Sequence, residues 1–373
     1  MKIVIDDKIP YIEGALEPFA EVVYLPGEQT TTEVVRDADA LITRTRTRCA
    51  RDLLEGSRVR LIATATIGFD HIDIDYCRQA GITWINAPGC NAESVNQYIA
   101  SALFSYGKRR DSTLEGRTIG IVGVGQVGSR VAKTCEILGM EVLLNDPPRA
   151  RAEGSSQFVS LQEIGQDADI ISFHVPLNLE GQDKTWHLVD ADFCADAEKK
   201  PLLINTCRGE VFDTRALHRA IGANRLSGLI LDCWENEPGI DLELLARVDF
   251  GTPHIAGYSK DGKANGTRAS VRAVSRFFGL GIDDWSPSGV EPPANPVLEL
   301  DGAGLSEESI LATAVLATYA IGRDDEALRR NPQWFEQLRG DYPVRREFDA
   351  YSIHARNVGS DTIGKLGRMG FNT

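Results

Sequence analysis

The sequence predicts an α/β protein with doubly wound parallel sheets, followed by a small α+β segment. Three observations carry this. Short apolar runs alternate with helical patterns over roughly the first 280 residues. A glycine-rich turn at 123–128 joins one such run to a helix. A proline-rich stretch then separates the alternation from a region of different pattern.

Taken in order, the strand-like runs are KIVID (2–6), ALIT (40–43), LIATAT (61–66), TWINA (83–87), TIGIVG (118–123), EVLLND (141–146), DIISFH (169–174), PLLINT (201–206) and GLILDCW (228–234). Several are apolar on both faces, as parallel strands covered by helices are. Residues 93–109 read as a helix joining two such units. The alternation ends near 256, and KANGTRASVRAVSRFFGLG follows as another helix. If that helix packs back on the first unit, the first domain is discontinuous, residues 1–93 with 257–282. Residues 94–256 are then inserted in it. DDWSPSGVEPPANP (283–296), with four prolines and a glycine, reads as a linker. Beyond it VLELDG and YSIHARN read as strands. SEESILATAVLATYAIGRDDEALRR reads as one helix started by Ser306 with Glu307 and Glu308 behind it. Residues 297–373 are thus expected to form a third, α+β domain.

A chain of 373 residues is long for a single core, so two or three domains are expected. Hydrophobic residues at 42% and charged residues at 25% fit a soluble globular protein. A net charge of −14 argues against general nucleic-acid binding. No apolar run is long enough to span a bilayer. The start, MKIVIDDKIP, has no export signal, so a cytoplasmic protein without membrane partners is the default. The seven cysteines, 49, 77, 90, 135, 194, 207 and 233, contain no CxxC pair. They read as reduced, mostly buried thiols without zinc-ligand spacing, and no metal is assigned.

The stretch TIGIVGVGQVGSRVAKTCEILGMEVLLND carries the first chemistry. A buried strand leads into Gly123, Gly125 and Gly128, and a helix follows. The first glycine makes the tight turn, the second admits a pyrophosphate to the backbone, and the third lets helix and strand pack closely. The helix start offers free N–H groups to phosphates. Asp146 closes the next strand, where it can accept from both ribose hydroxyls and repel a 2′-phosphate. NAD is therefore favoured over NADP, which Arg149 nearby keeps open.

Three further residues follow strands, on the side where such sheets bind ligands. Arg208 lies in NTCRGEVFD, Glu237 in LDCWENEP and His254 in TPHIAGYS. Singly, each has a structural reading: an ion pair, a helix-start acid, a satisfied core histidine. In order, after a nucleotide fold, they make a set. Oxidising a secondary alcohol sends a hydride to nicotinamide and a proton to a base, for which histidine is suited. Glu237 beside it favours the imidazolium. Arg208 can hold a carboxylate with two parallel donors, with Gly209 leaving room.

These motifs resemble the D-isomer-specific 2-hydroxyacid dehydrogenases over about residues 1–282. The resemblance implies that Arg208 binds the 2-oxo acid, that Glu237 pairs with His254, and that His254 is the acid/base. It implies a Rossmann-type NAD domain inserted in a flavodoxin-like α/β catalytic domain, with the site in the cleft. One branch of the family fits best, on TATIGFDHID (64–73), APGCNAESV (87–95), NDPPRA (145–150), TPHIAGYSKDGKANGT (252–267), GRDDEALRR (322–330), YPVRREF (342–348) and MGFN (369–372). That branch implies oxidation of 4-phospho-D-erythronate in pyridoxal 5′-phosphate biosynthesis, and a C-terminal domain that makes a homodimer. It places Thr45, Thr66 and Tyr258 at the substrate. It places Gln126, Val127, Asp146, Val175, Asp232 and Gly257, with the three glycines, at the cofactor. LITRTRTRC sets Arg44, Arg46 and Arg48 at period two on one side of an extended segment. That is either a solvated basic edge or a phosphate site. The resemblance favours phosphate, with Arg44 first and Lys263 second. The rivals are a 3-phosphoglycerate or glycerate dehydrogenase, whose C-terminal extension would differ, and an NAD-sensing binding protein without turnover.

Overall fold

The computed structural model describes all 373 residues. They form two compact units, Met1–Asn91 with Ser259–Pro292, and Ala92–Tyr258 with Pro293–Thr373. No helix is long and apolar enough to cross a membrane. All seven cysteines are free thiols, and all but Cys90 are buried.

In the first unit the strands are β1 (Lys2–Asp6), β2 (Glu21–Leu25), β3 (Ala40–Thr43), β4 (Leu61–Thr64) and β5 (Thr83–Ile85). They are all parallel, in the order β2-β1-β3-β4-β5. This is the flavodoxin-like order. The central strands β3 and β4 are buried along their whole length, as their apolar sequences require. The edge strand β2, EVVYL, is absent from the sequence reading; it is only half-buried and begins with an exposed glutamate.

The helix Lys260–Phe278 belongs to this unit. Ser259 caps it by accepting from the Gly262 N–H, and Gly279 ends it in the left-handed region. Val271 and Val274 pack with Ile3, Ile5, Ile42 and Leu61. A Cβ on Gly266 would stand 2.3 Å from the carbonyl oxygen of Ala65, so only glycine lets the helix lie this close to the chain after β4.

The second unit holds β6 (Thr118–Val122), β7 (Glu141–Asn145), β8 (Ile170–Phe173), β9 (Leu202–Asn205), β10 (Gly228–Leu231) and β11 (Phe250–Gly251). They form one parallel sheet in the order β11-β10-β9-β8-β6-β7. After β7 the chain crosses to the other side of β6, so β6 and β8 flank the point where strand order reverses. Open α/β sheets bind ligands at the carboxyl side of such a point.

Residues after 292 add a parallel pair, β12 (Val297–Asp301) and β13 (Ser352–Arg356), with helices at Glu307–Thr318, Ile321–Arg330, Phe335–Gly340 and Ser360–Met369. Ser306 caps the first of these helices, as its sequence indicates. The single helix expected across 306–330 is broken at Tyr319–Ala320, where the backbone is extended. Tyr319 is the reason. Its ring is buried, stacks on Tyr98 at 5.9 Å and lies 3.9 Å beneath the Arg345 guanidinium. Its hydroxyl donates to Asp324, and the Ile321 N–H leaves the helix ladder for Ser101 Oγ.

The helix Ile321–Arg330 covers β11, a strand too short to be read from sequence. The Gly251 N–H donates to Asp325 at 2.7 Å, and Arg329 donates to the carbonyls of Leu245 and Val248.

Candidate active site

Each sequence-predicted residue of the nucleotide turn sits at the β6–β8 switch point. Gly123 follows β6 with φ +88°, and a Cβ there would meet the backbone of His174 at 2.8 Å. A Cβ on Gly128 would stand 2.0 Å from the Gly123 carbonyl oxygen, so the helix Gly128–Ile137 starts directly against the strand end. A Cβ on Gly125 would meet nothing within 4 Å. The backbone is thus open where a pyrophosphate would approach, and the residues present fit NAD. Gln126 and Val127 complete the turn; Gln126 accepts from Arg130 through its carbonyl and its side chain.

Asp146 ends β7. It accepts from the N–H groups of Val124 at 2.9 Å and Arg149 at 3.0 Å, which fixes the carboxylate beside the turn. Arg149 is committed to Glu153 through both Nε and Nη2, and to the Val124 carbonyl. Its charge is therefore already paired, which sides with NAD over NADP. Val175 follows β8 and packs against Gly123. His174, just before it, lies between the hydroxyls of Ser172 and Thr206. Burial pushes its pKa down to about 3.

Arg208, Glu237 and His254 follow β9, β10 and β11, three neighbouring strands. His254 has φ +55°, a left-handed conformation that a histidine adopts only when its surroundings impose it. They do so by backbone bonds: its N–H donates to the carbonyls of Asp232 and Thr252. Its Nδ1 lies 2.7 Å from Glu237 Oε2, while Glu237 Oε1 accepts from the Trp234 N–H at 2.8 Å. Cys233 stands within 4.8 Å of this pair, and burial raises its pKa so far that it stays a neutral thiol.

Asp232 holds the loop that carries His254. It is buried, and accepts from Thr252 Oγ1 at 2.6 Å, the Ile255 N–H at 2.7 Å and the Ala256 N–H at 2.9 Å. Burial raises its pKa; His254, Thr252 and the two N–H groups pull the other way. Tyr98 and Trp234, which the sequence reading did not single out, extend this network. The Tyr98 hydroxyl lies 2.7 Å from Thr252 Oγ1, and Trp234 Nε1 donates to the Thr252 carbonyl.

Arg208 is set by Asn205, whose side chain donates to the Arg208 carbonyl and accepts from the Cys207 N–H. The expected role of Gly209 is corrected. A Cβ there would fall 1.9 Å from the carbonyl carbon and oxygen of Trp234. Gly209 admits the neighbouring backbone and does not make room for the arginine. Gly257 and Tyr258 continue the His254 loop, and Tyr258 meets Tyr342 edge-on at 5.9 Å.

The first unit carries Arg44, Thr45, Thr66 and Lys263. The extended basic segment expected at 44–48 does not form. β3 ends at Thr43 and the chain turns at Thr45–Arg46, so the three arginines do not keep a period of two. Arg44 is half-buried; Thr45, Arg46 and Arg48 are exposed. Thr66 donates to the Gly68 carbonyl and lies 2.8 Å from Thr64 Oγ1. Lys263 loses basicity to burial and to the charges of Arg44 and Lys260. Three cations are thus close in space. Lys260 is paired with Glu291 at 2.9 Å, and Glu291 also accepts from Tyr11; these bonds hold its pKa at about 2.

Residues 91–256 match the NAD binding domain of the D-isomer specific 2-hydroxyacid dehydrogenases, and residues 292–367 match a domain of unknown function. The first of these matches, together with the relatives below, makes this an NAD-dependent dehydrogenase. Among solved structures, NAD-bound 3-phosphoglycerate dehydrogenase from Entamoeba histolytica is 26% identical with a TM-score of 0.64, covering 77% of this chain and 98% of that one. D-lactate dehydrogenase from Aquifex aeolicus is 27% identical with a TM-score of 0.62, covering 79% and 100%. Erythronate-4-phosphate dehydrogenase from Bacteroides fragilis is 54% identical over 354 residues, 95% of this chain and 99% of that one. The Cronobacter sakazakii enzyme of that name is 41% identical over 375 residues, 100% and 98%. The chain belongs to the erythronate-4-phosphate dehydrogenase family, within the D-isomer-specific 2-hydroxyacid dehydrogenases.

Proposed function

We propose that this protein oxidises 4-phospho-D-erythronate to 3-hydroxy-2-oxo-4-phosphonooxybutanoate with NAD, a step of pyridoxal 5′-phosphate (vitamin B6) biosynthesis. The observation that carries the reading is likeness over 95% or more of the chain, the C-terminal region included, to relatives of that name.

The chain's own groups divide the work as follows. Glu237 fixes His254 through Nδ1, which leaves Nε2 to take the proton of the substrate hydroxyl. Arg208 holds the substrate carboxylate beside the reacting carbon. When bound, NAD supplies the hydride acceptor. Gly123, Gly125, Gln126, Val127, Gly128, Asp146, Val175, Asp232 and Gly257 would hold it. Thr45, Thr66 and Tyr258 contact the substrate, and Arg44 with Lys263 receives its phosphate. The clustering of Arg44, Lys260 and Lys263 supports that last assignment, because a single carboxylate, Glu291, stands against three cations and leaves a net positive charge for an anion.

In this reading residues 1–93 with 257–282 are the substrate-binding domain and 94–256 the NAD domain. Residues 283–296 link them to 297–373, through which two copies pair as a cytoplasmic homodimer.

The test is absorbance of reduced nicotinamide after 4-phospho-D-erythronate is added to protein and NAD, with a 2-oxo acid supplied in parallel to permit turnover. D-glycerate and 3-phosphoglycerate serve as controls. A response to phosphoerythronate that is lost in His254→Ala supports the reading. A stronger response to 3-phosphoglycerate overturns the substrate and keeps the chemistry.

A further inference from the structure

The loop that carries the acid–base histidine has a cation from the C-terminal region against its Tyr258 end. Arg339 lies on the helix Phe335–Gly340. Its guanidinium sits 5.7 Å from the centre of the Tyr258 ring and 6.0 Å from that of Phe335. Tyr258 is four residues from His254, on the same loop. The side chain is 22% exposed.

Arg339 is ion-paired within its own helix, yet one of its donors is left over. Its Nη1 donates to Glu336 Oε1 at 3.0 Å, three residues away on its own helix, while its Nε is buried and has no hydrogen-bond partner. Leaving such a donor unsatisfied costs about 1–3 kcal/mol, and a group of this kind calls for a partner such as water, an ion or a ligand. The two acids of the histidine loop do not take up that donor. Glu237 spends its oxygens on His254 and the Trp234 N–H, and Asp232 spends its own on Thr252, Ile255 and Ala256. Burial works to lower the pKa of Arg339, but Tyr258, Glu336, Glu237 and Asp232 outweigh it, so the group stays cationic.

We propose that Arg339 is a substrate-binding residue that donates from its guanidinium to an oxyanion of the substrate at the Tyr258 side of the His254–Glu237 pair. This rests on the proposed function, whose substrate carries an anion at each end. The shared chemistry is a doubly accepting oxyanion, carboxylate or phosphate, which a guanidinium fork matches. On this account the C-terminal region contributes directly to substrate selection.

The experiment compares wild type, Arg339→Met, which keeps the apolar stem over Phe335, and Arg339→Lys, which keeps the charge without the fork. Each is assayed with 4-phospho-D-erythronate and with D-erythronate, alongside the NAD dissociation constant and the unfolding midpoint. The expected result is a KM raised about 10- to 100-fold in Arg339→Met, partial recovery in Arg339→Lys, and kcat, NAD affinity and unfolding midpoint little changed. A rise confined to the phosphorylated substrate assigns phosphate; an equal rise for both assigns carboxylate. Unchanged KM overturns the proposal. So does a fall in kcat alone with a displaced pH profile, which would mean that Arg339 only offsets the charge of Glu237. If wild type fails to oxidise 4-phospho-D-erythronate, the functional reading fails, and the arginine is tested separately by thermal shift with inorganic phosphate and malonate. A shift lost in Arg339→Met supports it, and equal shifts overturn it.

Discussion

Glu237 holds the His254 ring through Nδ1 at 2.7 Å, and is itself held by the Trp234 N–H through its second oxygen. Orientation is therefore passed from backbone to carboxylate to imidazole. Glu237→Gln preserves the shape and the bond from Trp234 but removes the charge facing the ring. We expect kcat to fall about 100-fold with KM for the hydroxy acid within about threefold. Steady-state rates decide this, and an unchanged kcat would remove Glu237 from the mechanism.

The nucleotide turn separates packing from binding. Gly125→Ala places its methyl group in open space, whereas Gly128→Ala drives it to 2.0 Å from a carbonyl oxygen. We expect Gly125→Ala to leave unfolding stability within about 0.5 kcal/mol and to weaken NAD binding about tenfold or more. Gly128→Ala should destabilise by about 3 kcal/mol. Urea unfolding and NAD titration of both variants test the pair. Equal NAD affinity in Gly125→Ala and wild type would argue against a pyrophosphate at that backbone.

Lys263 lies with Arg44 and Lys260 in the first unit, where burial and the neighbouring charges depress its basicity. An anion that docks there restores it. Lys263→Met should raise KM for 4-phospho-D-erythronate about 10- to 100-fold and leave that for D-erythronate nearly unchanged. Arg44→Met should act in the same direction. Equal effects on both substrates would place the phosphate elsewhere.

His174 makes stability depend on pH. Its folded pKa, pushed down to about 3 from an ordinary 6.5 by burial, means that the unfolded chain binds a proton there first. Stability from this residue is complete above pH 6.5 and falls as pH drops toward 3. The slope is at most about 1.4 kcal/mol per pH unit. In His174→Asn that contribution vanishes. The difference in urea stability between the two proteins should thus change between pH 7 and pH 5, in favour of the variant at the lower pH. A constant difference would show that the ring is solvated.

Much of this was legible in the sequence, for definable reasons. Strands buried on both faces, such as β3, β8 and β9, must be apolar throughout and stand out. The glycine turn announces itself because three close approaches forbid any side chain larger than hydrogen or admit a ligand. Arg208, Glu237 and His254 were visible as polar residues at the ends of apolar runs. What was hidden depended on tertiary contact. The break at Tyr319 lies within a continuous helical pattern, and contacts with Tyr98, Ser101 and Arg345 create it. The turn at Thr45–Arg46 dissolves a periodicity that looked like an edge strand. Gly209 stands out beside Arg208 in the sequence, but what demands a glycine there is the Trp234 backbone, which follows a different strand. Arg339 carries no local signal at all.

The helix Ile321–Arg330 seals the rim of the nucleotide sheet, with Asp325 and Arg329 taking up the groups that β11 and the chain just before it present. The C-terminal region is therefore not a detachable appendage. A chain stopped after the proline-rich stretch would bare the outer edge of β11 next to the histidine loop, and such rims recruit other chains. Anyone trimming this protein to a minimal enzyme should anticipate insoluble material, and would do better to redesign that rim than to shorten the chain.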